Sequence, residues 1–412
     1  MRLRLVFPLF LLLASFATLQ SHASDLALVG AKIYLSPSEA PIESGTVLIH
    51  GGVVVSVGRI EQIKVPRRAI VIDCRGLVVT SGFWNSHVHI LLPGLLHAKK
   101  LSSEQITSQL QQMLTRWGFT TVFDIASVLQ NTNVIRRRIE RGEVRGPRFL
   151  TVGEPFWVET PIYIKGFLEA NRISMPEVDS AAQATERVRQ QIRDGADGIK
   201  IFANSVESNQ ILTMPLDLAQ VIAAAAHRAG KPVFAHVSNR QGIEVAIQSG
   251  VDILAHTTPI DELWGPSLVE RMTAAHMALT PTLTLWDVES KKANASHEKT
   301  EEWMSRAARE LGAFSLAGGQ VLFGTDVGYI RNFDTSEELT WMSRAGMSFQ
   351  QILASLTTNP AQRFGYSTHR GRIAKGMDAD LVVLSSDPAQ NVSAFSKVRY
   401  TIRDGHVIYA EK

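Results

Sequence analysis

Residues 83–89 read Phe83-Trp84-Asn85-Ser86-His87-Val88-His89 and follow the apolar run Gly76-Leu77-Val78-Val79-Thr80. In an extended strand, residues i and i+2 project from the same face. His87 and His89 then aim both imidazoles at one point, as a metal site requires. Such triplets arise often by chance, so the rest of the chain decides what this one means.

The chain has a different style on each side of this stretch. From Leu26 to about Val79 the pattern is short strands and turns, over 26–34, 45–50, 53–57 and 69–73, with Gly51-Gly52 as a hairpin signal. From Gly82 onward, helical stretches alternate with short apolar runs. Helices are expected over 103–117, 131–141, 180–194, 216–229, 241–249, 266–275 and 301–317. Strands are expected over 120–124, 148–152, 198–202, 232–236, 251–256, 277–281 and 320–326. With the Val78 run counted first, that gives eight strands, each followed by helix. The pattern predicts an α/β chain built on a closed parallel (β/α)8 TIM barrel. An open doubly wound sheet is the other candidate. It usually carries a glycine-rich phosphate turn after its first strand, and none is present.

After Phe364 short strands return, over 372–373, 379–384, 398–402 and 406–409. Neither terminal piece is long enough for a comfortable core. Together they make a discontinuous β-sandwich, from 24–80 and 367–412, with the barrel of 81–366 inserted between its halves.

The bulk properties narrow the function. Of 412 residues, 45% are apolar and 20% charged, which is ordinary for a globular enzyme. The N-terminus has a basic start (Arg2, Arg4), an apolar run over 5–19, and Ser21-His22-Ala23 as a small-x-small cleavage pattern. Residues 1–23 are therefore expected to be a signal peptide, shorter than the roughly 20 apolar residues of a span. The protein is expected to be exported, periplasmic or secreted, with no membrane association after processing. The formal charge is +3, or about +1 without the two leader arginines, so nothing favours nucleic acid as a partner. Cys74, the only cysteine, reads as a packed strand residue.

In a barrel, chemistry sits at the C-terminal ends of the strands. This chain places His87 and His89 at the end of strand 1, Lys200 on strand 4, His236 on strand 5, His256 on strand 6 and Asp326 on strand 8. Singly, each has an ordinary structural explanation. A strand-end histidine is usually hydrogen-bonded structure, a buried lysine can pair with a carboxylate, and Asp326 could cap a helix. Four of the 12 histidines at three strand ends, together with a strand-end aspartate, argue for a shared site.

Neutral imidazole suits borderline-soft divalent ions such as zinc. His87, His89 and Asp326 are expected to hold one ion, and His236 and His256 a second. Paired ions need a bridging anion. Between cations the pKa of a buried Lys200 falls. The neutral amine can then add carbon dioxide, from CO2 or bicarbonate, and offer two carbamate oxygens as an N6-carboxylysine.

These six positions resemble the amidohydrolase superfamily across essentially the whole mature chain. The stretch Gly371-Arg-Ile-Ala-Lys-Gly-Met-Asp-Ala-Asp-Leu-Val-Val-Leu384 also looks like that family's returning sheet segment. The chain is most similar to the imidazolonepropionase-like and Xaa-Pro or Xaa-Arg/Lys dipeptidase branch. The resemblance implies a carboxylated lysine bridging two zinc ions and hydrolysis of an amide or similar C–N bond. Two positions depart from it. Asn85 stands where relatives commonly have Asp, and Thr257 stands where related dipeptidases tend to have Gly.

The expected substrate is a small molecule: a dipeptide, an N-acyl amino acid or a cyclic amide. Asp326 is expected to take the proton of the attacking water and pass it to the leaving amine. Lactonase or esterase activity is an alternative. So is a mononuclear zinc deaminase, but those enzymes use a Glu shortly after the strand-5 His. Here Val237-Ser238-Asn239 follows, with no acid until Glu244. Trp157, Tyr163, Asn204, Trp286 and Tyr329 lie on loops that could wall the substrate, and His97 follows strand 1 closely. A homo-oligomer is compatible with the sequence.

Overall fold

The computed structural model describes residues 25–207 and 210–411. The expected signal peptide lies outside the described residues. The chain opens with β1 (Leu26–Ile33), β2 (Ile42–His50), β3 (Val53–Arg59), β4 (Ile70–Asp73) and β5 (Val78–Ser81). The middle supplies β6 (Phe83–Val88), β7 (Phe119–Asp124), β8 (Arg148–Thr151), β9 (Ile199–Phe202), the hairpin β10 (Asn204–Glu207) and β11 (Gln210–Thr213), β12 (Val233–His236), β13 (Ile253–Ala255), β14 (Ala278–Thr280) and β15 (Gln320–Val321). The chain closes with β16 (Leu381–Leu384), β17 (Val398–Arg403) and β18 (His406–Ala410).

The run at Val78 is a strand, but not the first of the inner set. β5 pairs with β1 and with β16 and belongs to the outer sheet. The histidine pair lies on the following strand, β6, with His89 just beyond its end. The chain changes sheets at Gly82, whose N–H donates to the Asp380 carbonyl at 2.7 Å. A Cβ on Gly82 would come within 2.2 Å of Thr120 Oγ1, so only glycine fits this crossing.

The terminal pieces pair, as expected, but their hydrogen bonds run through one sheet of order β18-β17-β16-β5-β1-β2-β3. The reason is β1. Its first half pairs with β4 and its second half with β5, across a register shift at Gly30. The sheet bends there, and both arms share one core, with Leu28, Val47 and Ile49 from one and Val79, Leu381, Val383 and Ile402 from the other. The terminal pieces are thus joined in one continuous sheet around a shared core. Cys74 is buried in this core, and burial pushes its thiol up to about 12. That suits a packing residue.

Among the described residues the inner strands form two parallel sheets, β6-β7-β8 and β9-β12-β13-β14-β15. Backbone hydrogen bonds tie them at both margins. On one side Phe156 N–H donates to the Lys200 carbonyl at 2.8 Å, and Phe202 N–H to the Phe156 carbonyl at 2.8 Å. On the other, Ser86 N–H donates to Phe323 at 2.7 Å and His89 N–H to Val327 at 2.8 Å. Trp84, Phe123, Leu150, Phe234, Ile253, Ala278 and Leu322 fill the space between the strands. Amphipathic helices such as Ala181–Arg193 and Leu216–Arg228 cover the outside. No described helix is long and apolar enough to cross a membrane.

No strand forms over 372–373, helices Ser336–Arg344, Phe349–Leu356 and Thr358–Arg363 follow β15, and three further regions differ from the expected elements. A helix at Ile162–Asn171 follows β8, a helix at Leu285–Lys292 follows β14, and the hairpin β10–β11 follows β9. All three lie at the C-terminal ends of the parallel strands, where the candidate site is.

Candidate metal centre

All six expected residues gather at one end of the parallel sheets. His87, His89, Lys200, His256 and Asp326 are buried, and His236 is partly open. Strand register explains how Lys200 reaches the others. Lys200 pairs with Phe234, one layer below Phe202 and His236. Its long stem lifts the amine toward the histidines. Burial lowers the Lys200 pKa to about 7, against the pull of Asp326. Among the described residues no carboxylate forms an ion pair with this lysine.

Asp326 and His256 have left-handed backbones, φ 59° and φ 75°. Such conformations cost a β-carbon residue about 1–3 kcal/mol and cluster at functional sites. Both are held by neighbouring strands. Asp326 N–H donates to the His87 carbonyl at 2.9 Å, and His256 N–H to the Thr280 carbonyl at 2.9 Å. Two residues after Asp326, a Cβ on Gly328 would come within 1.9 Å of the His89 carbonyl oxygen. The loop packs against the histidine strand at a distance only glycine allows.

The ring tautomers follow from the partners. His89 Nδ1 is 2.9 Å from the Ala126 carbonyl, which can only accept, so the proton is on Nδ1. His256 Nδ1 is 2.7 Å from Thr282 Oγ1, whose own proton goes to the Pro281 carbonyl. His87 Nδ1 lies 3.4 Å from Thr280 Oγ1 in the same sense. All three rings therefore present a bare Nε2. His87 Nε2 and His89 Nε2 point at Asp326 Oδ1, at 3.2 and 2.8 Å. That oxygen is buried and has no hydrogen-bond donor. Burial lowers the pKa of His87 to about 4, that of His236 to about 3, and that of His256 well below its ordinary value, so these rings are neutral near pH 7. Burial pushes the Asp326 carboxyl up. Its close electrostatic contacts with His87 and His89 outweigh that and hold it well below the usual carboxylate range. Lone pairs converging on an anion repel each other unless a cation sits among them. The ligand atoms of His87, His256 and Asp326 all lie within 4.8 Å of one another, which makes them the candidate metal site. His256 thus sits with His87 and Asp326, across the two-ion division expected from the sequence. His236 completes the arc, its ring 4.9 Å from that of His256 and stacked at 4.6 Å on Phe202.

The two unusual positions both have partners. Asn85 Nδ2 donates to Thr325 Oγ1 at 2.7 Å, and its Oδ1 accepts from the N–H groups of His87 (3.2 Å) and Thr325 (3.3 Å). It ties the histidine strand to the loop that carries Asp326. Thr257 Oγ1 accepts from Trp286 Nε1 at 2.9 Å. The other wall candidates divide. Asn204 supports the turn after β12, accepting Ser238 N–H at 2.8 Å. Trp157 is buried against Phe202. Tyr163 meets Tyr329 ring to ring at 6.1 Å, and Tyr329 donates to Glu289 at 2.9 Å. His97 is exposed. Thr280, Thr282 and Phe202, which orient the ligand rings, were not singled out from the sequence. All three sit at or just after strand ends already assigned to the site.

The amidohydrolase family model matches residues 78–408. Imidazolonepropionase from Thermoplasma acidophilum is 23% identical over 395 residues, which cover 89% of this chain and 90% of that protein. Ochratoxinase from Aspergillus niger is 26% identical over 231 residues, 53% of this chain, and the match spans 47% of the relative's length. Among solved structures, a Xaa-Pro dipeptidase with bound methionine in its active site superposes with a TM-score of 0.80 at 21% identity, covering 94% of this chain and 100% of that one. At that identity the likeness speaks for the fold. The family match runs from β5 to β18 and takes in every residue of the buried cluster, and the chain belongs to the amidohydrolase family.

Proposed function

We propose that this protein is a metal-dependent hydrolase of an amide- or peptide-type C–N bond in a small molecule such as a dipeptide, an N-acyl amino acid or a cyclic amide. The observation that carries this reading is the convergence of His87 Nε2 and His89 Nε2 on the buried Oδ1 of Asp326, which no other group satisfies. On this reading the two parallel sheets, tied at both margins, form one closed eight-stranded barrel over 81–366, and 24–80 with 367–412 form its sheet domain. His87, His89, His236, His256 and Asp326 would hold two divalent ions, zinc by donor type, with Lys200 as a carbamate between them. An amine whose pKa is near 7 is free to react with carbon dioxide at neutral pH. When bound, the ions supply Lewis acidity and lower the pKa of water. Asp326 stays ionised, so it can take a proton from the attacking water and deliver it to the leaving amine. The relatives, an imidazolonepropionase and an ochratoxinase, fit hydrolysis better than deamination. So does Glu244, the first acid after His236, which is engaged with Arg271 at 2.5 Å. The N-terminal pattern supports an exported enzyme.

Two measurements test this. Metal analysis of protein purified with zinc and bicarbonate is expected to give two divalent ions per chain. One ion, with an unmodified Lys200 in a high-resolution map, would sink the two-ion reading. A panel of dipeptides, N-acyl amino acids and cyclic amides is expected to contain a substrate. Cleavage of lactones or esters alone would replace the amidase reading.

A further inference from the structure

Asp124 ends β7 on the same side as the metal cluster and is fully buried. Its carboxyl accepts three hydroxyl hydrogen bonds, from Ser127 Oγ at 2.5 Å, Thr132 Oγ1 at 2.9 Å and Thr151 Oγ1 at 3.0 Å. Two threonine donors suit the carboxylate form, and Ser127 Oγ, also 2.7 Å from the Ala126 carbonyl, shares its one proton between the two acceptors. Among the described residues no lysine or arginine pairs with it. Burial holds this carboxyl above the usual carboxylate range, with the hydroxyls and the nearby His89 pulling against it. A buried anion without a counter-charge is costly. Something close by must offset it.

Ser127 connects this carboxylate to the site. Its Oγ accepts the N–H of Ile90, the residue after His89, at 2.7 Å. Its own N–H donates to the Gly153 carbonyl at 3.0 Å. Between Asp124 and Ser127 lies Ala126, whose carbonyl accepts His89 Nδ1–H. The turn pinned by Asp124 therefore holds His89 twice, by its ring and by the backbone that follows it. We propose that Asp124 is a positioning residue of the metal centre: a buried, unpaired anion that orients His89 through Ser127 and strengthens the hold of the site on a divalent cation. This rests on the metal-dependent reading above. The cation supplies the charge that Asp124 lacks, and the anion raises the basicity of the ligand ring. A purely structural anchor would serve equally well uncharged.

Asp124→Asn separates the two roles, because its amide keeps the size and can reverse donors with the hydroxyls. Zinc affinity is measured by competition with a fluorescent chelator, together with thermal unfolding of the metal-free protein. The variant is expected to bind zinc about 10–100-fold more weakly, the range seen when partners of metal ligands are removed. Metal-free melting should be unchanged or higher, since a buried charge has gone. Ser127→Ala keeps the charge and cuts the link, and should weaken zinc by about 10-fold. Zinc affinity in Asp124→Asn equal to wild type overturns the proposal, whatever happens to melting. If Asp124→Asn does not fold, Ser127→Ala decides, and unchanged affinity there overturns it. A wild-type protein that binds no divalent ion removes the metal reading itself, an outcome seen before any variant is made.

Discussion

The two sides of the metal cluster are held in place by different forces. On one side His87, His89 and Asp326 are braced by hydrogen bonds: Asn85 ties their strand to the Thr325 loop, and Ala126 fixes the His89 ring. On the other, Lys200 and His236 are placed by register and packing, with Phe202 stacked on the imidazole and the lysine stem rising from the layer below. The braced side carries its geometry in polar contacts that form with the fold. The packed side fixes where side chains stand, and among the described residues no carboxylate forms an ion pair with Lys200.

The largest effect is expected from Asp326→Ala, which on the proposed reading removes a ligand and the proton carrier together. Activity should fall on the order of 1000-fold in kcat/KM, within the range for losing a positioned acid–base group. Retention of a tenth of wild-type activity would remove Asp326 from the proton path. On the packed side, Lys200→Ala should cost about 100-fold in activity and metal occupancy, with short-chain carboxylates restoring part of both. Full activity without rescue would end the bridging role.

The third prediction concerns pH. The folded pKa values of His87 and His236, about 4 and about 3, lie below the ordinary 6.5. Between these values the unfolded chain binds protons that the folded metal-free protein refuses. Stability from this source is complete above pH 6.5 and is lost as pH falls toward 4. Denaturant midpoints of metal-free protein at pH 7 and pH 5 should show the drop, and equal midpoints would mean that these rings are not held neutral. The smallest effect is on the braced side itself. Asn85→Ala leaves buried polar groups of Thr325 and His87 without their partner, and should destabilise the metal-free protein by about 1–3 kcal/mol. A change well under that range would show that the Asn85 tie is not what holds the strand to the loop.

The six cluster residues were legible because strand ends can be found from hydrophobic period, and in parallel α/β folds the strand ends carry the chemistry. The same rule applied to Thr120-Thr-Val-Phe-Asp124 would have found Asp124. Period does not say which sheet a strand joins: it points to the Val78 run as the first inner strand, whereas Gly82 moves the chain one strand further along. The helices at Ile162–Asn171 and Leu285–Lys292 were missed for another reason. The first starts at Pro161 and ends at Arg172 in a left-handed conformation, and the second has only a weak apolar face. Their stability comes from packing over the strand ends, which a local window does not see. Tautomers were equally out of reach, since they depend on contacts such as that between His256 and Thr282.

The bent outer sheet has a consequence for how the protein is made. Val78 pairs with Leu384, so the sheet that begins with β1 is finished only when almost the whole chain has left the ribosome. Until then the apolar faces of β1 and β5 and an open strand edge wait without partners, and pairings this distant in sequence form slowly. A chain cut before β16 will therefore lose more than a tail. It will expose a sticky half-sheet, and solubility should fail before catalysis can be assayed.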